Sequence, residues 1–324
     1  MEKDNIMDVK KGLFFFIIYF AIQIVAINNI SLWDIDEGRY LIPAQNAIRY
    51  GKWIVPEYNG SPRITKPPLV VWEIALFSML FNDGKVTEWS ARVPIILAGA
   101  VTLLMTYLIS RKVLSRETSL FATMILSSCN IFLYYIRSPI TDMTLLMFMS
   151  ITLYMLFSGF EDNRNLFTLF SFIPMTLGFL TKGPVAILLP IMVMISYSIV
   201  KLERPTKKFI LYLSLSLIIT ISLSLIWPAL VGFENFFREV ILEENLERFS
   251  TNYSWESSTF YYIPDIIAKF SPWSAFILVI FKYFKEERDE KLIFFVTWFF
   301  TILIFFSLSV TKRSSYICLL YTSP

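Results

Sequence analysis

Three acids and an arginine stand within DIDEGRY, residues 34–40, directly after the first long apolar run of the chain. Asp34, Asp36 and Glu37 crowd together there. Mutual repulsion in a low-dielectric setting is expected to raise at least one carboxyl pKa, as a general base requires. The structural alternative is that Asp36 and Glu37 solvate a span end and favour the N-terminus of a helix EGRYLIPAQNAIRYG. Lys66, in SPRITKPPLVVW, precedes Pro67 and Pro68, which fix an extended entry into the next helix. An ammonium beside a helix N-terminus suits a phosphate, although an interfacial lysine also meets ordinary lipid headgroups. In RSPITDMTLLMF, Asp142 follows Arg137 at the edge of a span, where a carboxylate is costly unless paired or wet; its other role is N-cap of the following helix. Lys182, in LTKGPVAILLP, occupies a short turn broken by Gly183 and Pro184, a place that a plain hairpin between spans also explains.

A further stretch, FFREVILEENLERFS, repeats Phe236, Phe237, Ile241, Leu242, Leu246 and Phe249 at helical spacing. Glu239, Glu243, Glu244, Glu247 and Arg248 supply its charge. This predicts an amphipathic interfacial helix whose arginine holds a phosphate bidentately or pairs with Glu244 along the helix. The chain has no histidine, so acid and base work falls to Asp, Glu, Lys or Tyr.

Such residues need elements to carry them, and the composition says which. Of 324 residues, 56% are hydrophobic, 17% aromatic and only 17% charged, a balance for an integral membrane protein. The net charge of +3 is scattered among turns, which gives no nucleic-acid face. Cys129 and Cys318 both lie in apolar stretches and read as small buried hydrophobes. A span needs roughly 20 apolar residues. Nine segments approach or meet this, at about 12–30, 92–110, 118–136, 143–159, 166–180, 184–200, 209–228, 266–284 and 292–309.

Lys10 and Lys11 before the first span, with no small-residue cleavage site after it, predict an uncleaved anchor with a cytoplasmic N-terminus. The turns RKVLSRE, EDNRN, KLERPTKK and KYFKEERDEK then fall inside, and their basic residues agree with that threading. PPLVVWEIALFSMLF is too short to span, contains Glu73 and would reverse every later turn, so it is expected to lie at the outer interface. By the same parity DIDEGRY, SPRITKPP, RSPITD, LTKGP, FREVILEENLERFS and TKRSSY all share the outer side. Most charge not explained by insertion is held in two long outer loops, 31–91 and 229–265. No internal repeat is evident.

With these residues in order, the chain resembles the polytopic GT-C glycosyltransferases of the aminoarabinose transferase and protein O-mannosyltransferase type. DEGRY is similar to that family's DE-x-RY element, and YGKWIVPEYNGSPRITKPPLVVW to its G-x-W, P-x-NG and KPP stretch. ARVPIILAGA, RSPITDM, TKGPVAILLP, ENLERFS and SPWS follow in the family's order, and SLSVTKRSSYICLL resembles its S-x-x-K and Tyr element.

The resemblance implies an all-α GT-C membrane fold over residues 1–324, with interfacial helices in the two long loops. It also implies transfer of a sugar from a polyprenyl phosphate to an envelope lipid, glycan or protein, with inversion at the anomeric carbon. Residue by residue, Asp36 matches the family's catalytic aspartate, with Glu37 beside it, and Asp142 matches its second acidic position. Lys66, Arg248 and Tyr316 match positions that contact the lipid phosphate. Arg39 is expected to orient Asp36 or that phosphate, and Lys182 and Lys312 are further candidates.

Two departures bear on metal: Thr65 stands where the aminoarabinose branch has glutamate, and Glu244 where it has histidine. No obligatory metal or other cofactor is therefore expected, and Glu244 is the first ligand to consider if one binds. The expected partners are membrane lipids, the polyprenyl-phosphate-linked sugar and an acceptor. The family continues past TKRSSY with further spans, so ICLLYTSP reads as the end of a fragment. Two alternatives stay open, a non-enzymatic lipid-binding or assembly subunit of the same fold and a secondary transporter. Against the transporter, the charges gather at one face and not at the midplane between repeated halves.

Overall fold

In hydrocarbon every backbone group must find its partner within its own segment, so apolar runs become helices. The computed structural model describes residues 17–25, 27, 35–247, 261–276 and 292–309, and these are overwhelmingly helical. After a first helix α1 (17–25) come α2 (Ile35–Tyr50), a hairpin of β1 (Glu57–Tyr58) and β2 (Ser61–Pro62), and α3 (Leu69–Phe81). The helices α4 (Glu88–Val113), α5 (Arg116–Ser128), α6 (Asn130–Tyr135) and α7 (Thr141–Glu161) follow. Next are α8 (Asn165–Phe170), α9 (Phe172–Lys182), α10 (Val185–Lys201), α11 (Lys207–Ser224) and α12 (Ile226–Val231). The described part ends with α13 (Phe233–Phe236), a π-helix (Phe237–Glu247), α14 (Tyr262–Lys269) and α15 (Ile293–Leu308).

Three stretches among the described residues, Glu88–Val113, Thr141–Glu161 and Lys207–Val231, are long and apolar enough to cross a membrane. The protein is an integral membrane protein. Its most buried span is α7, packed against α4, α8, α9 and α10, whereas α11 turns most of its surface outward. One face of α4 is lined by Thr102, Thr106 and Ser110, each donating its hydroxyl to the carbonyl a turn earlier (2.8, 2.9 and 2.7 Å). Buried hydroxyls so satisfied cost little and leave a smooth surface for close helix packing. Gly99 on the same helix takes Ile136 so closely that an added Cβ would lie 2.5 Å from its side chain.

Several expected spans are interrupted. The segment 118–136 is two helices that break at Cys129, whose backbone is extended, and Asn130 donates its N–H to the Ser271 carbonyl (3.1 Å). The segment 166–180 breaks at Ser171, whose hydroxyl bonds Thr168 O (2.7 Å) and lies 3.0 Å from that of Ser216. A polar residue that finds a partner outside the helical ladder lets the chain change direction at each place. The span 209–228 divides at Leu225. Residues 12–16, 26, 28–30 and 277–284 of the expected spans lie outside the described residues.

The segment read as interfacial is α3, held between α2 and α4. Val70, Val71, Ile74, Ala75 and Ser78 face inward, while Leu76, Met79, Leu80 and Phe81 are exposed, the distribution of a helix lying along lipid. Its start follows from Pro67 and Pro68, and the chain before it is tightened by Asn59 and Gly60, whose φ of 51° and 78° make the hairpin turn. Two successive left-handed residues are what such a two-residue hairpin demands, and Asn-Gly supplies them cheaply. At the head of α4, Thr87 and Ser90 cap each other reciprocally.

Candidate functional site

The first turn of α2 divides the DIDEGRY acids instead of leaving them to repel one another. Asp36 faces outward and pairs with Arg39, both about half exposed (47% and 48%). Glu37 turns inward to Arg92 of α4, with Nη2 3.7 Å from Oε2 and the guanidinium 1% exposed. Arg92 Nη1 also reaches the carbonyl of Ile27 (3.4 Å). The helical period places neighbouring residues about 100° apart, so a catalytic candidate and an anchoring group stand side by side in sequence yet on different faces. Asp34 lies outside the described residues.

Asp142 and Lys182 form the third ion pair of the site, Nζ to Oδ1 2.7 Å, with side chains 10% and 13% exposed respectively. The alternative N-cap role for Asp142 is not what the chain adopts: Ile140 is the N-cap, and Asp142 lies in the first turn of α7. A carboxylate in that turn still meets the positive helix end, and the lysine settles the remaining desolvation cost. Lys182 is the last residue of α9; Gly183 (φ 86°) ends the helix and Pro184 opens α10, the hairpin foreseen for LTKGP. Arg137, expected near Asp142, donates Nε to Gln23 Oε1 of the first helix (2.9 Å).

Three sequence-distant segments converge in one apolar cluster. Ile64 from the KPP segment, Phe179 from α9, Trp227 and Val231 from α12, Phe236 from α13 and Val240 from the π-helix are all buried together. Each large side chain so buried contributes roughly 1.5–3 kcal/mol. Trp227 also donates its indole N–H to the Ile54 carbonyl (2.9 Å), and Trp72 donates to that of Trp53 (2.7 Å), which lashes the first loop to α12 and α3. Ile64, two residues before Lys66, thus shares a cluster with Phe179, three residues before Lys182.

The amphipathic stretch is helical as expected, wound as a π-helix from Phe237, but its inward face is not the one the spacing implied. Phe236 and Val240 are buried, while Phe237 is 55% exposed. The side chain of Glu244 and residues Arg248, Lys312 and Tyr316 lie outside the described residues.

Three residues now stand at the site that carried no role in the sequence beyond their stretches. Arg92 is announced by position alone, since a guanidinium at the mouth of an apolar span requires a partner. Arg63 donates Nη1 to the Arg39 carbonyl (2.9 Å) and lies 4.7 Å over the Tyr40 ring. Glu73 of α3 accepts from Thr144 Oγ1 of α7 (3.2 Å). Its stem keeps some exposure but the carboxyl is enclosed, and this burial pushes it up to about 7 against the opposing hydrogen bond from Thr144. Among the described residues, no group of three or more Asp, Glu or Cys side chains is arranged to hold a metal ion.

Residues 65–227 match the family described as dolichyl-phosphate-mannose-protein mannosyltransferase. A protein of Aquifex aeolicus (strain VF5) is 32% identical over 320 residues, 97% of this chain and 71% of that relative. The undecaprenyl phosphate-alpha-4-amino-4-deoxy-L-arabinose arabinosyl transferase of Pseudomonas aeruginosa (strain UCBPP-PA14) is 27% identical over 308 residues, 92% of this chain and 55% of the relative. The crystal structure of ArnT from Cupriavidus metallidurans bound to undecaprenyl phosphate matches with a TM-score of 0.84 at 24% identity, over 96% of this chain and 58% of that one. This likeness shows the fold, that of the GT-C membrane proteins. The chain spans little more than half the length of the last two.

Proposed function

Because the chain belongs to the dolichyl-phosphate-mannose-protein mannosyltransferase family, we propose that it is a membrane glycosyltransferase that moves a sugar from a polyprenyl phosphate to a hydroxyl or acidic acceptor of the cell envelope. The observation that carries this reading is the gathering of the first loop, the Asp142–Lys182 hairpin and the π-helix around one apolar cluster. In support of it, Arg63 beside this cluster donates to the carbonyl of Arg39, the partner of the outward carboxylate Asp36, and Lys66 follows three residues after Arg63. The relatives' names support it: one is an arabinosyl transferase named for undecaprenyl phosphate-alpha-4-amino-4-deoxy-L-arabinose, and the related crystal structure holds undecaprenyl phosphate.

In the proposed reaction the acceptor oxygen attacks the anomeric carbon from the face opposite the phosphate. The bond from that carbon to the phosphate oxygen breaks, giving inversion. Asp36, oriented by Arg39, takes the acceptor's proton, or stabilises the oxocarbenium-like transition state when the acceptor is already ionised. The polyprenyl phosphate departs with its charge met by Lys66, Arg248 and Tyr316. Asp142, neutralised by Lys182, shapes the wall behind the sugar, and every step is assigned to protein groups. The charge bias of the short turns supports an N-terminus in the cytoplasm and a site on the opposite side.

The test is direct. The complete protein, purified in lipid nanodiscs and given radiolabelled polyprenyl-phosphate sugars with cell-envelope lipid, should label an acceptor and release polyprenyl phosphate. Donor binding without transfer to any envelope fraction would favour a lipid-binding subunit, and accumulation of a solute in sealed vesicles a transporter.

A further inference from the structure

Pro43 lies inside α2, one turn beyond Arg39. A proline has no N–H, so the carbonyl four residues before it loses its helical partner. That carbonyl belongs to Arg39, and it is the one to which Arg63 donates, from a different segment of the chain. The proline thus opens an acceptor in the wall of the helix, and the first loop supplies the donor.

The attachment is rigid at both ends. The Arg63 guanidinium lies over the Tyr40 ring while its Nη1 reaches the carbonyl of the preceding residue, two contacts on adjacent residues of α2. A planar fork stacks and donates at once; an ammonium does not. Arg63's own N–H is held by the Pro56 carbonyl (2.7 Å), and the next residue, Ile64, is buried in the apolar cluster. Asn46 adds a bond lower down, from Nδ2 to the Glu57 carbonyl (3.0 Å). Among the described residues no carboxylate lies within ion-pair distance of Arg63. On the other side of the joint, the side chain of Arg39 holds Asp36. Arg63 is therefore the link between the turn that carries Asp36 and the segment that carries Lys66.

We infer that Arg63 is a positioning residue, a clamp on the carbonyl freed by Pro43, which fixes the Asp36 carboxylate relative to the Lys66 ammonium. Its catalytic meaning rests on the function proposed above, in which one group serves the acceptor and the other the donor phosphate. Misplacement of two reacting partners by about 1 Å costs on the order of 10²-fold in rate without any change in the groups themselves.

The test joins a distance to a rate in the complete protein. Nitroxide labels at Ile42→Cys and Ser61→Cys, with Cys129 and Cys318 replaced, should give a narrow distance distribution by pulsed electron spin resonance, and Arg63→Ala should broaden it. Arg63→Ala should also lower turnover at least tenfold with donor affinity within about threefold, and Arg63→Lys should not restore it. Adding Pro43→Ala to Arg63→Ala returns an N–H to the Arg39 carbonyl. It should recover thermal stability while turnover stays low. An unchanged distance distribution in Arg63→Ala overturns the clamp whatever the activity, as does recovery of turnover together with stability. Should the wild-type protein transfer no sugar at all, the proposed function fails, and the distance measurement still decides whether the clamp exists.

Discussion

Lys182 Nζ lies 2.7 Å from Asp142 Oδ1, and this contact joins the last residue of one helix to the first turn of another, in a place nearly closed to solvent. Removing one member of such a pair leaves an uncompensated charge, at a cost of about 3–5 kcal/mol. Lys182→Met should therefore lower the unfolding temperature of the detergent-solubilised protein sharply. The double variant Asp142→Asn with Lys182→Met should recover most of that stability without recovering transfer. Equal stability of single and double variants would show that the pair is not coupled.

Asp36→Asn keeps the shape of the carboxylate and removes its basicity. Loss of a general base is worth about 10²- to 10⁴-fold in rate. Transfer should fall by that order with donor binding within a few fold of wild type. Lys66→Ala should weaken the donor instead, and a parallel loss of donor affinity in both variants would assign Asp36 to the architecture of the site.

Glu73 supplies the pH dependence. Burial holds its carboxyl near 7 in the folded protein, whereas the unfolded chain ionises it near 4.3. Between those values the folded state binds the extra proton, so stability from this group is full below about 4.3 and is lost as pH rises toward 7. Glu73→Gln keeps a neutral partner for Thr144 and should flatten this slope. Unfolding temperatures of the two proteins between pH 5 and 8, buffered identically, decide it; parallel curves would assign the slope elsewhere.

Sidedness follows from a single exposed position. Ser61, at the start of the second strand of the hairpin, is open to solvent. An engineered cysteine there should react in intact cells with a reagent that does not cross membranes. Reaction only after permeabilisation would reverse the proposed orientation.

Metal independence is the remaining expectation. The chain has no histidine, and Thr65 and Glu244 replace the oxygen and nitrogen donors expected in the aminoarabinose branch. Transfer by the complete enzyme should survive exhaustive EDTA treatment. Activity lost to chelator and restored by one cation would make Glu244 the first residue to replace.

Much of this arrangement was legible in the residues. Hydrophobic run lengths found the helices, KPP located the start of α3 and Gly-Pro the end of α9, while the Asn59-Gly60 hairpin went unread inside a longer motif. What the chain alone does not display is which polar residue meets which. DIDEGRY reads as one acidic knot, yet helical rotation sends Asp36 to Arg39 and Glu37 to Arg92, from a span that reads as plain hydrocarbon. Asp142 reads equally as a cap, because the lysine that pairs with it arrives from a later hairpin. The breaks at Cys129 and Ser171 leave no mark in the sequence since apolar runs record length and not continuity, and Phe237 is outward because Phe236 and Val240, four residues apart, take the buried face.

The Glu37–Arg92 pair also bears on how the protein enters its membrane. A guanidinium is among the groups that insertion machinery admits least readily, at about 2.5–3.5 kcal/mol at a helix centre and less near a helix end, where Arg92 stands. Ribosomal order delivers Glu37 first, with the helix that follows the first span, and Arg92 afterwards at the head of the next span. Chain order thus makes the counterion before the cation it neutralises. Glu37→Gln is therefore expected to lower the yield of membrane-inserted protein, and an unchanged yield would show that Arg92 enters without its counterion.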